Sequence, residues 1–134
     1  MEYDYAAVLR RVYELFKGDD AYAIPDLWTD DIVWHSAGSN IASGDHVGAS
    51  AIIAMLGDLM AFTEGTYRIE SQAIAVDGDR GFSLHKATAA TADGVAELWT
   101  VLSFRFRDGK IAEIWNYSFD QELADRLFSS NERT

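Results

Sequence analysis

Cysteine is absent from the chain and proline occurs once, as Pro25. Without cysteine there are no disulfides, thiolate nucleophiles, zinc ribbons or iron–sulfur ligands, so any chemistry is that of oxygen and imidazole. Cations are also scarce: 11 Lys and Arg stand against 22 Asp and Glu, a formal charge of −11. Nucleic acid is therefore not an expected partner, because a phosphate backbone is drawn to the opposite field. No apolar run reaches the ~18 residues of a membrane span. The start, Met1-Glu2-Tyr3-Asp4, is acidic and unlike a signal peptide, so no membrane contact is expected and the cytoplasm is the default location. G-x-S-x-G, G-x-x-x-x-G-K-[ST] and H-E-x-x-H do not occur, which leaves serine hydrolase, P-loop and zincin readings without local support.

What is present is a core. Apolar residues make up 49% of the chain and charged residues 25%, the mix of an ordinary folded domain. At 134 residues, one domain over 1–134 is expected.

Tyr5, Val8, Leu9, Val12, Tyr13 and Phe16 recur at steps of three and four, predicting an amphipathic helix over 4–17. Asp4 is placed to cap it, and Gly18 to end it in a left-handed conformation. Between Asp19 and Trp28, Pro25 limits any helix to a short one. Ile32-Val33-Trp34-His35-Ser36-Ala37 has strand composition, and a glycine-rich loop runs from Gly38 to Gly48. A second helix is expected at 49–62, with Ile52, Met55, Leu56, Leu59 and Met60 as its stripe.

After Gly65 the period changes to two. Asp77-Gly78-Asp79, Ala92-Asp93-Gly94 and Asp108-Gly109 are hairpin signals, dividing the region into strands at about 66–76, 80–91, 96–107 and 110–119. A last helix at 121–128, capped by Asp120, carries Leu123, Leu127 and Phe128. Along the third of these strands Leu98, Thr100, Leu102, Phe104 and Phe106 share one face and Trp99, Val101, Ser103 and Arg105 the other. Neither is wholly polar, as in a sheet covered on both sides.

This order resembles the nuclear transport factor 2-like superfamily. Leu27-Trp28-Thr29-Asp30-Asp31-Ile32-Val33-Trp34-His35, with Gly38 and Gly44-Asp45-His46-Val47-Gly48, is similar to the entry strand and loop of its SnoaL-like branch. So is Phe104-Arg105-Phe106-Arg107-Asp108-Gly109-Lys110-Ile111-Ala112-Glu113-Ile114-Trp115, followed by Asp120-Gln121, Ala124-Asp125 and Phe128. The resemblance implies an α+β fold: a cone-shaped, curved antiparallel sheet, the cystatin-like half-barrel, wrapped around N-terminal helices. It also implies a deep apolar pocket, a homodimer through the sheet, and relatives among ketosteroid isomerases, polyketide cyclases, dehydratases and epoxide hydrolases.

On this footing His35, three residues before Gly38, is expected where the isomerases carry their catalytic aspartate, as a general base near its ordinary pKa of ~6.5. The opposing reading is a histidine satisfied within the fold. His85 faces the pocket if Lys86 faces solvent; the reverse parity is equally open. Either His85 or Asn116 is expected to stabilise the enolate, the opposing reading of Asn116 being a solvent-facing strand position beside the dimer surface. Val12, Trp34, Met55, Thr100, Leu102, Ile114 and Ser118 are expected to line the ligand site. Val12 and Leu102 align with the isomerases' oxyanion-hole tyrosine and aspartate, so that constellation is missing. One residue along a helix is a rotation of ~100°, which turns the neighbouring Tyr13 hydroxyl away. Asp45 and His46 either reach the pocket mouth or are exposed loop polarity. Trp28, Trp34, Trp99 and Trp115, with Tyr13, Tyr67, Tyr117 and Phe62, either wall a flat ligand or, for most of them, belong to the core and the dimer face.

The resulting expectation is a cofactor-independent, metal-free isomerase, cyclase or dehydratase that moves a proton on a carbonyl-bearing hydrophobic small molecule. The alternatives are a non-catalytic carrier of the same fold and a dimerisation module whose cavity its own side chains fill.

Overall fold

The computed structural model describes residues 2–18, 20–92 and 94–129. Helix α1, Tyr5–Lys17, starts where the Asp4 carboxylate accepts the Ala7 N–H at 3.0 Å. It ends without the expected left-handed glycine: Gly18 has φ −87° and closes the helix through its own N–H to the Glu14 carbonyl. A 3-10 helix, Ala21–Leu27, accommodates Pro25. Strand β1, Trp28–Ser36, leads into β2, Gly44–Val47, and then α2, Ala49–Phe62. Strands β3 (Arg68–Asp77), β4 (Arg80–Thr91), β5 (Gly94–Arg107) and β6 (Lys110–Ser118) form the meander, and α3, Gln121–Leu127, follows.

Strand β2 falls inside the stretch expected to be loop. Its four residues have little strand character of their own, and pairing with β1 makes the strand, with His35 opposite Asp45 and Trp34 opposite His46. The six strands run in the order β2-β1-β6-β5-β4-β3, antiparallel throughout except for β1 beside β6. At Asp108-Gly109 both φ angles are positive, 54° and 85°, the geometry of a two-residue hairpin turn that matches strand twist. Asp93 of the β4–β5 turn lies outside the described residues.

Register shifts at Ser71/Ala73 and Arg105/Phe106 insert residues on one side of a pair, which bends a sheet. The helices sit in the resulting concavity. Leu9 of α1, Ile32 of β1, Ile52 of α2 and Ile111 of β6 are completely buried there, at roughly 2–3 kcal/mol of transfer free energy per aliphatic side chain. No helix among the described residues is long and apolar enough to cross a membrane.

Candidate functional site: an uncharged cavity with a tyrosine-bound histidine

Alternation along the strands decides what the concave face offers. On β4, Ser83, His85, Ala87 and Ala89 are buried while Phe82 is exposed, so His85 faces inward. On β5, Leu98, Thr100, Leu102 and Phe104 face the same way, and on β6 Ile114, Asn116 and Ser118 do. Together with α1 and α2 they enclose a cavity of about 90 Å³. Of the expected site residues, His85, Asn116, Val12, Trp34, Met55, Thr100, Leu102, Ile114 and Ser118 all line it.

His35 does not. Trp34 and Ser36 of β1 point into the cavity, so the residue between them emerges on the other face of the sheet. There His35 Nδ1 lies 2.6 Å from an Asp45 carboxylate oxygen and Nε2 2.6 Å from Glu113, with the ring stacked on Trp115. Glu113 is held in turn by Arg105 at 3.2 Å. Burial lowers the His35 pKa, but the two carboxylates outweigh it and hold the group above its ordinary value. The expected base at the pocket mouth is instead a clasp between β1, β2 and β6. Asp45 is part of that clasp, and His46, also on β2, bonds the Ala42 carbonyl at 2.7 Å; neither lines the cavity.

Tyr13 corrects a second expectation. Its hydroxyl lies inside, 2.6 Å from Ser83 Oγ and 2.9 Å from His85 Nδ1. A helix seated in a concave sheet is walled on more than one side, so Val12 and Tyr13 both reach the cavity despite the rotation between them. Tyr13 already belonged to the apolar stripe of α1, and that stripe was the signal for its direction. Asn40 and Gln121 are further polar residues of the lining that sequence reasoning missed, as was Ser83, which holds the Tyr13 hydroxyl.

Every described residue lining the cavity is uncharged. Desolvation lowers the His85 pKa to about 4. It also lifts the phenols of Tyr13 and Tyr67 to about 12, the Ser83 bond opposing the rise at Tyr13. All three groups are therefore neutral at neutral pH. His85 Nε2 has no hydrogen-bond partner among the described residues. Asn116 Nδ2 donates to Ser36 Oγ at 3.2 Å, while its Oδ1 is buried with no donor. A buried acceptor left unmade costs ~1–3 kcal/mol, which a ligand hydroxyl placed there would recover.

The wall beside Asn116 is braced from α3. The Asp125 carboxylate accepts Ser39 N–H, Asn40 Nδ2 and Gln121 Nε2 at 2.8–3.0 Å. Gly38, with φ +84°, lets the loop lie directly on Gln121 and Asp125.

The same fold recurs in known structures. Bal32a, from a soil-derived mobile gene cassette, superposes with a TM-score of 0.85 at 25% identity, over 92% of this chain and 95% of its own. A protein of unknown function with a cystatin-like fold from Xanthomonas campestris gives 0.84 at 23% identity, over 92% and 96%. TerC, crystallised together with polyporic acid, gives 0.78 at 20% identity, over 92% and 97%. No curated protein sequence matches the chain. Residues 9–114 match the model of the SnoaL-like domain, and the chain belongs to that family.

Proposed function

We propose that the chain is a cofactor-independent enzyme that moves a proton on a neutral, mainly apolar carbonyl compound, with His85 as the group that takes and returns it. The observation that carries this reading is the His85 imidazole in an uncharged cavity, bound through Nδ1 to Tyr13 and with Nε2 unoccupied. With Nδ1–H donating to the Tyr13 oxygen and the Tyr13 O–H donating to Ser83, the Nε2 lone pair faces the ligand. The α C–H bond breaks, its proton goes to Nε2, and the electron pair moves to the carbonyl oxygen as an enolate. Return of the proton to another atom completes an isomerisation or prepares a cyclisation or elimination.

Magnitudes narrow the substrate. A conjugate acid near pKa 4 makes a weak base, and each unit of mismatch with the C–H acid costs ~1.4 kcal/mol. A C–H flanked by two carbonyls suits this histidine far better than a simple ketone. A substrate hydroxyl would meet the orphaned Asn116 Oδ1. Charged substrates are disfavoured, because burying an ion without a partner is prohibitive. The ligand of TerC supports a small-molecule site within this fold.

The test is loss of the α-proton signal of an alkylated β-ketoester in heavy water, followed by NMR against buffer. Native protein is expected to accelerate exchange and His85→Gln to lose about 10²-fold of that rate. Binding without any acceleration would favour the carrier reading, to which the absence of a carboxylate among the described lining residues lends itself.

The convex face supports a homodimer. Phe82, Trp99, Tyr117 and Phe119 are exposed together on β4 to β6 and the chain just after it, more apolar surface than a solvent face needs.

A further inference from the structure

A second concavity lies on the surface where the end of α1, the 3-10 helix and α2 meet. It encloses about 790 Å³, against about 90 Å³ for the central cavity. The two spaces share Phe16, Ile24, Trp28, Leu56 and Tyr67 as a common wall. Across it the rings of Phe16 and Tyr67 meet nearly perpendicular, at 6.4 Å. The groove exposes apolar surface at Tyr22 (81%) and Ile53 (51%).

Two features set it apart from ordinary surface. In a chain of net charge −11, the charged residues among the described ones lining the groove are Lys17 and Arg68. Neither makes an ion pair with a described carboxylate, and Arg68 Nη1 is held by the carbonyls of Gly65 and Tyr67 at 2.8 Å. The groove is also kept open by Gly57. Glycine is unfavourable inside a helix, yet it stands in the interior of α2, and a Cβ built there meets nothing within 4 Å.

We infer that the groove is a second subsite for the same ligand: an elongated, mainly apolar molecule whose neutral head enters the central cavity and whose outer end is a carboxylate held by Lys17 and Arg68. This rests on reading the cavity as the ligand site. The division of charge follows from solvation. The uncharged cavity excludes an anion, whereas at the groove the anion keeps its water and gains two cations. The division of volume agrees, because ligand pockets commonly enclose ~300–1,000 Å³ and the cavity falls short of that range without the groove. Rotation of Phe16 would join the two spaces.

Calorimetry with three probes tests the inference: para-ethylphenol as a short neutral head, hydroxyphenylhexanoate as the long acid, and hydroxyphenylhexanol as the long neutral counterpart. The acid is expected to bind native protein more tightly than para-ethylphenol. Lys17→Glu with Arg68→Glu, both at exposed positions, is expected to weaken the acid about tenfold relative to the alcohol. Gly57→Leu is expected to weaken both long probes and leave para-ethylphenol unchanged. Unchanged acid affinity in the charge-reversed protein would overturn the carboxylate assignment. Unchanged affinity of both long probes in Gly57→Leu would overturn the subsite and leave the cavity reading standing. Failure of para-ethylphenol to bind, with the acid still sensitive to all three substitutions, would uphold the groove and reject the cavity as the place for the head.

Discussion

The Tyr13 hydroxyl sits 2.9 Å from His85 Nδ1, tying the first helix to the fourth strand across 72 residues of sequence. The bond engages one ring nitrogen of a histidine that lines the cavity and leaves Nε2 without a hydrogen-bond partner among the described residues.

That burial has a consequence for acid stability. His85 is 4% exposed and its pKa falls from 6.5 to about 4, so between those values the unfolded chain binds a proton that the folded one refuses. The contribution of His85 is complete above pH 6.5 and is lost as pH falls toward 4, by roughly 3 kcal/mol in all. Urea unfolding across this range is expected to show the loss in native protein and a much smaller one in His85→Gln.

His35 behaves in the opposite sense. Its pKa is raised in the folded state, so its contribution is complete below the unfolded value of ~6.5 and is lost as pH rises through the folded one. Part exposure limits the effect to about 1 kcal/mol or less. His35→Gln is expected to flatten stability on the alkaline side of pH 6.5, a change that urea midpoints at successive pH values would register.

Gly38 and Gly57 are opposite cases of the same residue. A Cβ at Gly38 would collide with Gln121 and Asp125, and its φ of +84° already disfavours other residues. Gly38→Ala is expected to cost about 1–3 kcal/mol. Gly57→Ala adds a methyl into open space on a helix and is expected to gain up to about 1 kcal/mol. Thermal melts of the two variants beside native protein check both signs.

On the convex face Trp99 lies opposite Lys86 of β4, and its carbonyl accepts the Phe119 N–H. Its side chain is partly exposed, as are those of Phe82, Tyr117 and Phe119. If this face joins two copies, Trp99→Glu shifts sedimentation from dimer to monomer without loss of secondary structure. A native protein that sediments as a monomer at high concentration would contradict the dimer.

The legibility of the sequence followed the strength of its periodicity. Helix α2 was read at its observed bounds because Ile52, Met55 and Leu59 leave one phase possible. The β5 faces were read correctly because five apolar or small side chains alternate without interruption. His85 was undecidable because Phe82, Leu84 and Lys86 share one parity, and apolar and charged neighbours argue in opposite directions. The burial of Ser83, Ala87 and Ala89 resolves it. His35 was misplaced for a related reason: it follows Trp34 on a strand where both faces are partly covered, and counting from Gly38 fixes position along a strand but not side. Strand β2 was illegible because its pairing with β1, rather than its own composition, creates it.

The most direct test of the account compares two histidines on opposite faces of one sheet. α-Proton exchange of an alkylated β-ketoester is measured with native protein, His85→Gln and His35→Gln, each shown by calorimetry to bind the ester. The account predicts a loss of about 10²-fold in His85→Gln and a native rate in His35→Gln. A native rate in His85→Gln, with the loss appearing in His35→Gln, would contradict it.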